Sequence, residues 1–401
     1  MNFNIKIVIF SLFSLAVYGA FYYDDTNMRG TQARIHLANL EHNIRQIKKN
    51  CKAKLCISVK ANAYGHGAVC VARKVLECGA DYLAVASVDE GCLLRKEGIT
   101  APILLFSLTV PEEIPDIIRW KLTPFVFDEE CIDLLDNAAG KSFAGVQYPV
   151  HLKIDTGMAR IGCKSEDAPS LARRICGSKH LRLEGMCTHF AVSDSLKPDD
   201  IAYTKNQIAV FKQSADAVQR AGIEAGIRHC AASGGILMYP EAHFDMVRAG
   251  IIAYGYFPSE ELKTLPSKPD LKPVMELVAP VVSIKELKAG QSVSYGRAWT
   301  AKKDTRIATL PIGYGDGLLR NLSPGFSVAI HGERYPIVGR ICMDQCMVDI
   351  GASSRVKRWD KAVIFGTKPN EPTAEDAAKL LHTIHYEILT GISARVPRVV
   401  C

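Results

Sequence analysis

Short apolar runs recur at a steady interval along the chain, at residues 55–60, 82–87, 102–107, 123–127, 150–155, 183–189, 227–233 and 246–255. Amphipathic stretches such as 69–77, 128–138 and 203–221 lie between them. Apolar runs this short, alternating with helical periodicity, read as strands of a parallel sheet buried on both faces. Eight of them predict an α/β fold, an N-terminal (β/α)8 TIM-type barrel rather than an open sheet. After Ser259 the texture changes. Pro266, Pro269 and Pro273 break the chain, and period-two alternation with turn glycines follows at 278–284, 306–311, 327–331 and 347–350. That pattern predicts a C-terminal mainly-β domain behind a proline-rich linker. The expected organisation is an N-terminal segment at 1–27, a barrel at 32–258 and a β domain at 259–401.

A barrel of this kind carries its chemistry at the carboxyl ends of its strands. Lys60, Asp155, His189, Ser233 and Gly250 fall there, with Arg160 in the loop beyond Asp155. Lys60 closes an apolar run and is followed by a tyrosine and a glycine-flanked turn, Ala61-Asn62-Ala63-Tyr64-Gly65-His66-Gly67. A lysine amine desolvated at a strand end loses its proton more readily and becomes able to form a Schiff base. A lysine snorkelling out of a sheet end fits the same segment. A strand-end His or Ser also serves to cap a helix. Within the β domain, Ser294-Tyr295-Gly296-Arg297 and the stretch 339–345 are polar knots unlike strand material, though Tyr295 also reads as a half-buried strand tyrosine.

Composition narrows the function classes. The chain has 401 residues, 48% hydrophobic and 23% charged, a globular balance and too long for one ordinary core. Its net charge of +7 is spread out, without the Lys/Arg clusters of a nucleic-acid binder. The 13 cysteines contain no Cys-x-x-Cys pair and lack the His partners of a zinc site, so no metal is expected. Their placement inside apolar runs suits a reducing compartment and favours the cytoplasm. Residues 5–20 pull the other way: almost wholly apolar, they resemble a signal peptide or a short anchor. A start at Met28 would remove that segment, and both readings stay open.

The lysine segment and the polar knots together carry a family resemblance. Val59-Lys60-Ala61-Asn62-Ala63-Tyr64-Gly65-His66-Gly67, Lys153-Ile154-Asp155-Thr156-Gly157-Met158-Ala159-Arg160, Thr188-His189-Phe190, Asp245-Met246-Val247-Arg248-Ala249-Gly250-Ile251, Val293-Ser294-Tyr295-Gly296, Pro311-Ile312-Gly313-Tyr314-Gly315-Asp316-Gly317, the stretch 339–345, Tyr386-Glu387 and Arg395-Val396-Pro397-Arg398 resemble alanine racemases, pyridoxal 5'-phosphate (PLP) enzymes of fold type III. The resemblance spans roughly residues 32–399.

The resemblance implies a head-to-tail homodimer that interconverts L- and D-alanine and supplies D-alanine for peptidoglycan. Lys60 would carry PLP and act on one face of the substrate, and Tyr295 of the partner subunit would act on the other. Tyr64, Ser233, Gly250, Ile251 and Tyr386 would hold the phosphate. Arg248 would face the pyridine nitrogen, with His189 between it and Tyr295. Arg160 and the backbone of Met343 would position the cofactor phenolate and the substrate carboxylate. Lys153 matches a lysine that is often carbamylated, and Tyr314, Arg320, Arg340, Ile384 and Asp194 match a narrow access collar. Ala232 departs from the family's usual asparagine before Ser233. A broad-specificity or serine racemase on the same scaffold is the alternative, although the Arg340-Ile341-Cys342-Met343-Asp344-Gln345 pattern is of the alanine type.

Overall fold

A computed structural model describes residues 29–106, 110–142 and 147–401. The apolar 5–20 segment, and with it the question of the true start, lies outside the described residues. Among the described residues no helix is long and apolar enough to cross a membrane.

The first strand, β1 (Gln32–Ile35), is followed by a helix and then by eight parallel strands: β2 (Lys54–Ser58), β3 (Tyr82–Val85), β4 (Ile103–Leu105), β5 (Thr123–Val126), β6 (Tyr148–Lys153), β7 (Leu181–Cys187), β8 (Ile227–His229) and β9 (Met246–Ala249). Their order is β8-β7-β6-β5-β4-β3-β2-β9. The ring is drawn together between β8 and β9 by Asp245 N–H to Arg228 O (3.1 Å) and Arg248 N–H to Ala231 O (2.9 Å). Each of the eight apolar runs contributes one strand. Burial on both faces, as in β3 where all four residues are buried, is why these runs show no alternation. The intervening helices are amphipathic: Ala68–Glu77 packs Ala68, Val71, Ala72 and Val75 inward at i, i+3, i+4, i+7 spacing.

The remaining strands are β10 (Met275–Pro280), β11 (Ser283–Leu287), β12 (Ser292–Val293), β13 (Trp299–Thr300), β14 (Thr305–Leu310), β15 (Ser327–Ile330), β16 (Glu333–Val338), β17 (Cys346–Asp349), β18 (Lys361–Phe365) and β19 (Arg398–Val400). Most form one sheet in the order β11-β14-β17-β16-β15-β18-β10-β1-β19. Two expectations need correcting here. The segment 32–35, assigned to the barrel from sequence, pairs with β10 and β19 in this second sheet instead. The run 278–284 is two strands, because the chain turns between Pro280 and Ser283. The buried carboxylate of Glu276 on β10 fastens the sheet through Arg34 of β1 (3.0 Å) and Lys361 of β18 (3.2 Å). None of the 13 cysteines is in a disulfide.

Candidate active site

Lys60 does not extend its strand, as the sequence suggested. β2 ends at Ser58, and Lys60 opens a turn in which Ala61, Asn62, Ala63 and Tyr64 all have φ between 51° and 55°. Left-handed backbone costs L-residues roughly 1–2 kcal/mol each, so the surroundings must hold this turn in place. They do so with hydrogen bonds. Glu90 Oε1 accepts from Ala61 N–H (2.6 Å), and its Oε2 accepts from Ala86 N–H (2.8 Å) just before the helix Val88–Lys96. Asn62 Oδ1 accepts from Ala68 N–H (2.7 Å), and Arg398 donates to Gly65 O (2.8 Å) from the last strand of the chain. Gly65 admits no side chain, since a Cβ would stand 2.3 Å from Leu389 O.

Burial lowers the Lys60 amine from its ordinary range, helped by the charge of Arg160 and opposed by Glu90. The other barrel-end residues gather round it. Ser233 Oγ accepts from Gly250 N–H at 3.1 Å. Tyr64 and Tyr386 lie with ring centroids 6.0 Å apart, and burial raises both phenols. Tyr386 comes from the short helix His385–Thr390 of the C-terminal part, so the second half of the chain closes over the barrel mouth. Ile251, fully buried, opens the turn Ile251–Tyr254 directly after Gly250. Ala232 precedes Ser233 with no side-chain cap of its own.

Arg248 is buried on β9, and its guanidinium donates to the carbonyls of Thr188, His229 and Cys230 and to ring nitrogens of His189 (3.3 Å) and His229 (2.8 Å). Burial and the adjacent Arg248 charge hold His189 well below its ordinary range. Lys153, Arg160, Thr188 and His189 line one small cleft. Burial brings the Lys153 amine down to about 8. Asp155 shapes the loop that carries Arg160, its Oδ1 accepting from the amides of Gly157, Met158 and Ala159.

Tyr295 and Met343 lie apart from this cluster. They line a separate open cavity of about 520 Å³ with Ser294, Cys342, Asp344, Gln345 and Met347. Tyr295 is 71% exposed and Met343 52%. Tyr314 shares this face through Gly315 N–H to Met343 O (2.9 Å) and Tyr314 N–H to Cys342 O (3.0 Å). Of the collar residues, Tyr314, Arg320, Arg340 and Ile384 belong to the C-terminal part, whereas Asp194 follows β7 on the barrel.

Sequence reasoning missed the supports. Glu90 reads as an ordinary capping-box glutamate three residues after Ser87, and nothing local shows its second oxygen reaching Ala61. Gln207, buried on the helix Pro198–Arg220, holds Ala191 N–H (3.0 Å) and donates to Thr156 Oγ1 (3.2 Å), tying the two loops that carry Arg160 and His189. His151 had a readable signal. It stands two residues before Lys153 in an apolar strand, which places both on the same face.

The sequence profile described as "Alanine racemase, N-terminal domain" matches residues 35–258, and the one described as "Alanine racemase, C-terminal domain" matches 274–400. The alanine racemase of Treponema denticola is 53% identical over 378 residues, 93% of this chain and 98% of that protein. That of Treponema pallidum is 44% identical over 376 residues, 93% of this chain and 99% of that one. Among solved structures, the alanine racemase of Clostridium difficile 630 superposes with a TM-score of 0.87 at 40% identity, covering 93% of this chain and 96% of its own. That of Bacillus anthracis with bound L-Ala-P gives 0.85 at 34% identity, with 96% of each chain covered. The barrel, the second sheet and these matches along nearly the whole length agree: the chain belongs to the alanine racemase family.

Proposed function

We propose that the protein interconverts L- and D-alanine with PLP held at the barrel mouth, and that two copies of the chain complete each site. The donor set suits this cofactor. A Cβ on Gly250 would come within 2.9 Å of Tyr64 Oη and 3.6 Å of Ser233 Oγ, so the glycine leaves open a cup lined by hydroxyls and backbone amides. Such a cup matches a compact dianion. Tyr64, Ser233, Tyr386, Gly250 and Ile251 would hold the phosphate there, with Lys60 bonded to the cofactor. When bound, PLP supplies the electron sink for the α-carbon.

The remaining work falls to the chain's own groups. Inversion needs a proton taken from one face and returned on the other, which calls for two acid/base groups. Lys60 Nζ, its pKa lowered by burial, serves one face. Tyr295 of a second copy serves the other, and the exposure of Tyr295, Met343 and Tyr314 on one side of the chain favours their being covered by that copy. His189, kept neutral beside Arg248, is the neighbour that Tyr295 would meet. Arg248 retains its proton, so it would face the cofactor's ring nitrogen as a donor and leave that nitrogen unprotonated. Arg160 and the Met343 backbone would position the substrate carboxylate. Lys153, at about 8, is substantially neutral in mildly alkaline solution. In that form its nitrogen adds to CO₂ and releases a proton, leaving a carbamate anion beside Arg160.

The observation that carries this reading is the convergence of a desolvated Lys60 with the Tyr64–Ser233–Gly250 cup at one barrel mouth. The test is PLP binding, followed by its absorption band, together with L- to D-alanine turnover. Both are expected in the wild-type chain, and the bound-cofactor band is expected to disappear in Lys60→Ala. Failure of the wild-type chain to bind PLP or to turn over alanine would overturn the reading. D-serine formation measured in parallel separates an alanine enzyme from a broader racemase. D-alanine made this way would serve peptidoglycan precursors.

A further inference from the structure

Below the mouth, a line of hydrogen bonds runs from Arg248 through the barrel interior. Arg248 Nη1 lies 2.8 Å from His229 Nδ1, His229 Nε2 lies 2.7 Å from His151 Nδ1, and His151 Nε2 lies 3.2 Å from Glu184 Oε2. Both imidazoles are completely buried. The chemistry of the two ends fixes every proton between them. A guanidinium has donors and no acceptor. His229 Nδ1 must therefore accept, which puts the His229 proton on Nε2. That N–H donates to His151 Nδ1, which puts the His151 proton on Nε2, where it donates to a carboxylate. The reverse arrangement would set two N–H groups against each other at Arg248. Burial disfavours a charged imidazole at either position, so neither ring escapes the constraint by taking a second proton.

The backbone is shaped for this line. Pairing between β6 and β7 slips between Val150 and His151, so that Val150 faces Leu183 and His151 faces Gly185. Glu184 is the extra residue of that bulge, and a bulge re-aims the side chain it carries. Gly185 makes the room, because a Cβ there would stand 2.7 Å from His151 Nδ1. Glu184 is in turn steadied by Arg182 at 2.8 Å. Arg248 has no carboxylate among its hydrogen-bond partners, only carbonyls and imidazoles. Glu184 is thus the anion at the far end of the line that begins at this buried cation.

We propose that His151 and Glu184 are positioning residues for the racemisation: they lock His229 as its Nε2–H tautomer and thereby hold the Arg248 guanidinium in one orientation toward the cofactor ring. The inference rests on the reading of the barrel mouth as a PLP site, and its first test does not depend on turnover. Neutron diffraction from deuterated holoenzyme crystals is expected to show deuterons on Nε2 of both His151 and His229 and none on Nδ1. A deuteron on His229 Nδ1 would overturn the proposal.

Variants then test the consequence. Glu184→Gln keeps an acceptor oxygen for His151, and its tautomers should be unchanged. His151→Leu removes the acceptor and should lower kcat about tenfold or more with little change in KM, as misorientation of a site group does. His151→Gln, which restores an acceptor oxygen, should recover most of that loss. Unchanged kcat in folded His151→Leu that still binds PLP would contradict the proposal. Absence of PLP binding in the wild-type chain would instead refute the underlying site reading.

Discussion

Lys60 and Tyr295 both adjoin backbone bent into the left-handed region, yet one is half-buried and the other stands in solvent. Around Lys60 the turn is tied by Ala61 to Glu90, by Asn62 to Ala68 and by Gly65 to Arg398, and burial has already shifted the amine. Around Tyr295, Ser294, Gly296 and Arg297 have φ of 70°, 69° and 50°. The supports there are few: Ser294 Oγ donates to Arg340 O (2.7 Å), and Arg297 donates to Ser292 Oγ (2.9 Å). The first half-site is pre-organised within one chain. The second presents a tyrosine exposed to solvent, which is what a residue intended for another chain's site would present. Left-handed backbone is common to both, but the lysine turn is the more closely held.

The largest loss is expected at Lys60. Lys60→Ala should reduce turnover by roughly 10³-fold or more, since under the proposed function it removes both the cofactor bond and one acid/base group. Steady-state racemisation in both directions checks this. Tyr295→Phe removes a hydroxyl from the exposed half alone and should cost about 10²–10³-fold. Its signature is asymmetry: solvent-isotope effects should differ between the L-to-D and D-to-L directions. Equal effects in both directions would remove the one-face role.

Smaller changes sharpen the contrast in rigidity. Glu90→Ala strands the amides of Ala61 and Ala86 and should destabilise the lysine turn by about 1–3 kcal/mol, read as weaker PLP binding and a lower Tm. Away from both half-sites, Glu276 offers a control. The His36 ring 3.7 Å away, with Lys361 and Arg34 adding to it, pulls its carboxyl from 4.5 to about 2. The folded state therefore binds this proton less tightly than the unfolded chain. The resulting stability is complete above about 4.5 and is lost as pH falls toward about 2. Glu276→Gln should lower Tm at pH 7 and flatten its dependence between pH 5 and 3, leaving turnover per folded molecule unchanged.

Much of the barrel was legible because both-face burial writes itself as unbroken apolar runs, and all eight became strands. The pairing of β1 was not legible, since Gln32–Ile35 has the local pattern of any short strand and its partners lie some 240 and 365 positions away in Leu277 and Arg398. At the site, Lys60, Ser233 and Gly250 could be placed because strand ends converge on one mouth, whereas Arg248 was named only through the family resemblance. The left-handed turn after Lys60 could not be foreseen, because Ala61, Ala63 and Tyr64 are residue types that avoid that conformation and hold it only through distant partners. Glu184 escaped notice for a related reason. Only the bulge opposite His151 turns it toward that ring, and a bulge leaves no mark on the alternation pattern.

If each site takes Lys60 from one chain and Tyr295 from another, two inactive variants should complement each other when mixed. Lys60→Ala and Tyr295→Phe chains, unfolded and refolded together in equal amounts, should form hybrid dimers in which one of the two sites has both native residues. With random pairing, turnover should recover to about one quarter of the wild-type level. If the mixture stays at the mean of the two parents while hybrid dimers are demonstrably present, Tyr295 does not act across the interface and the claim is wrong.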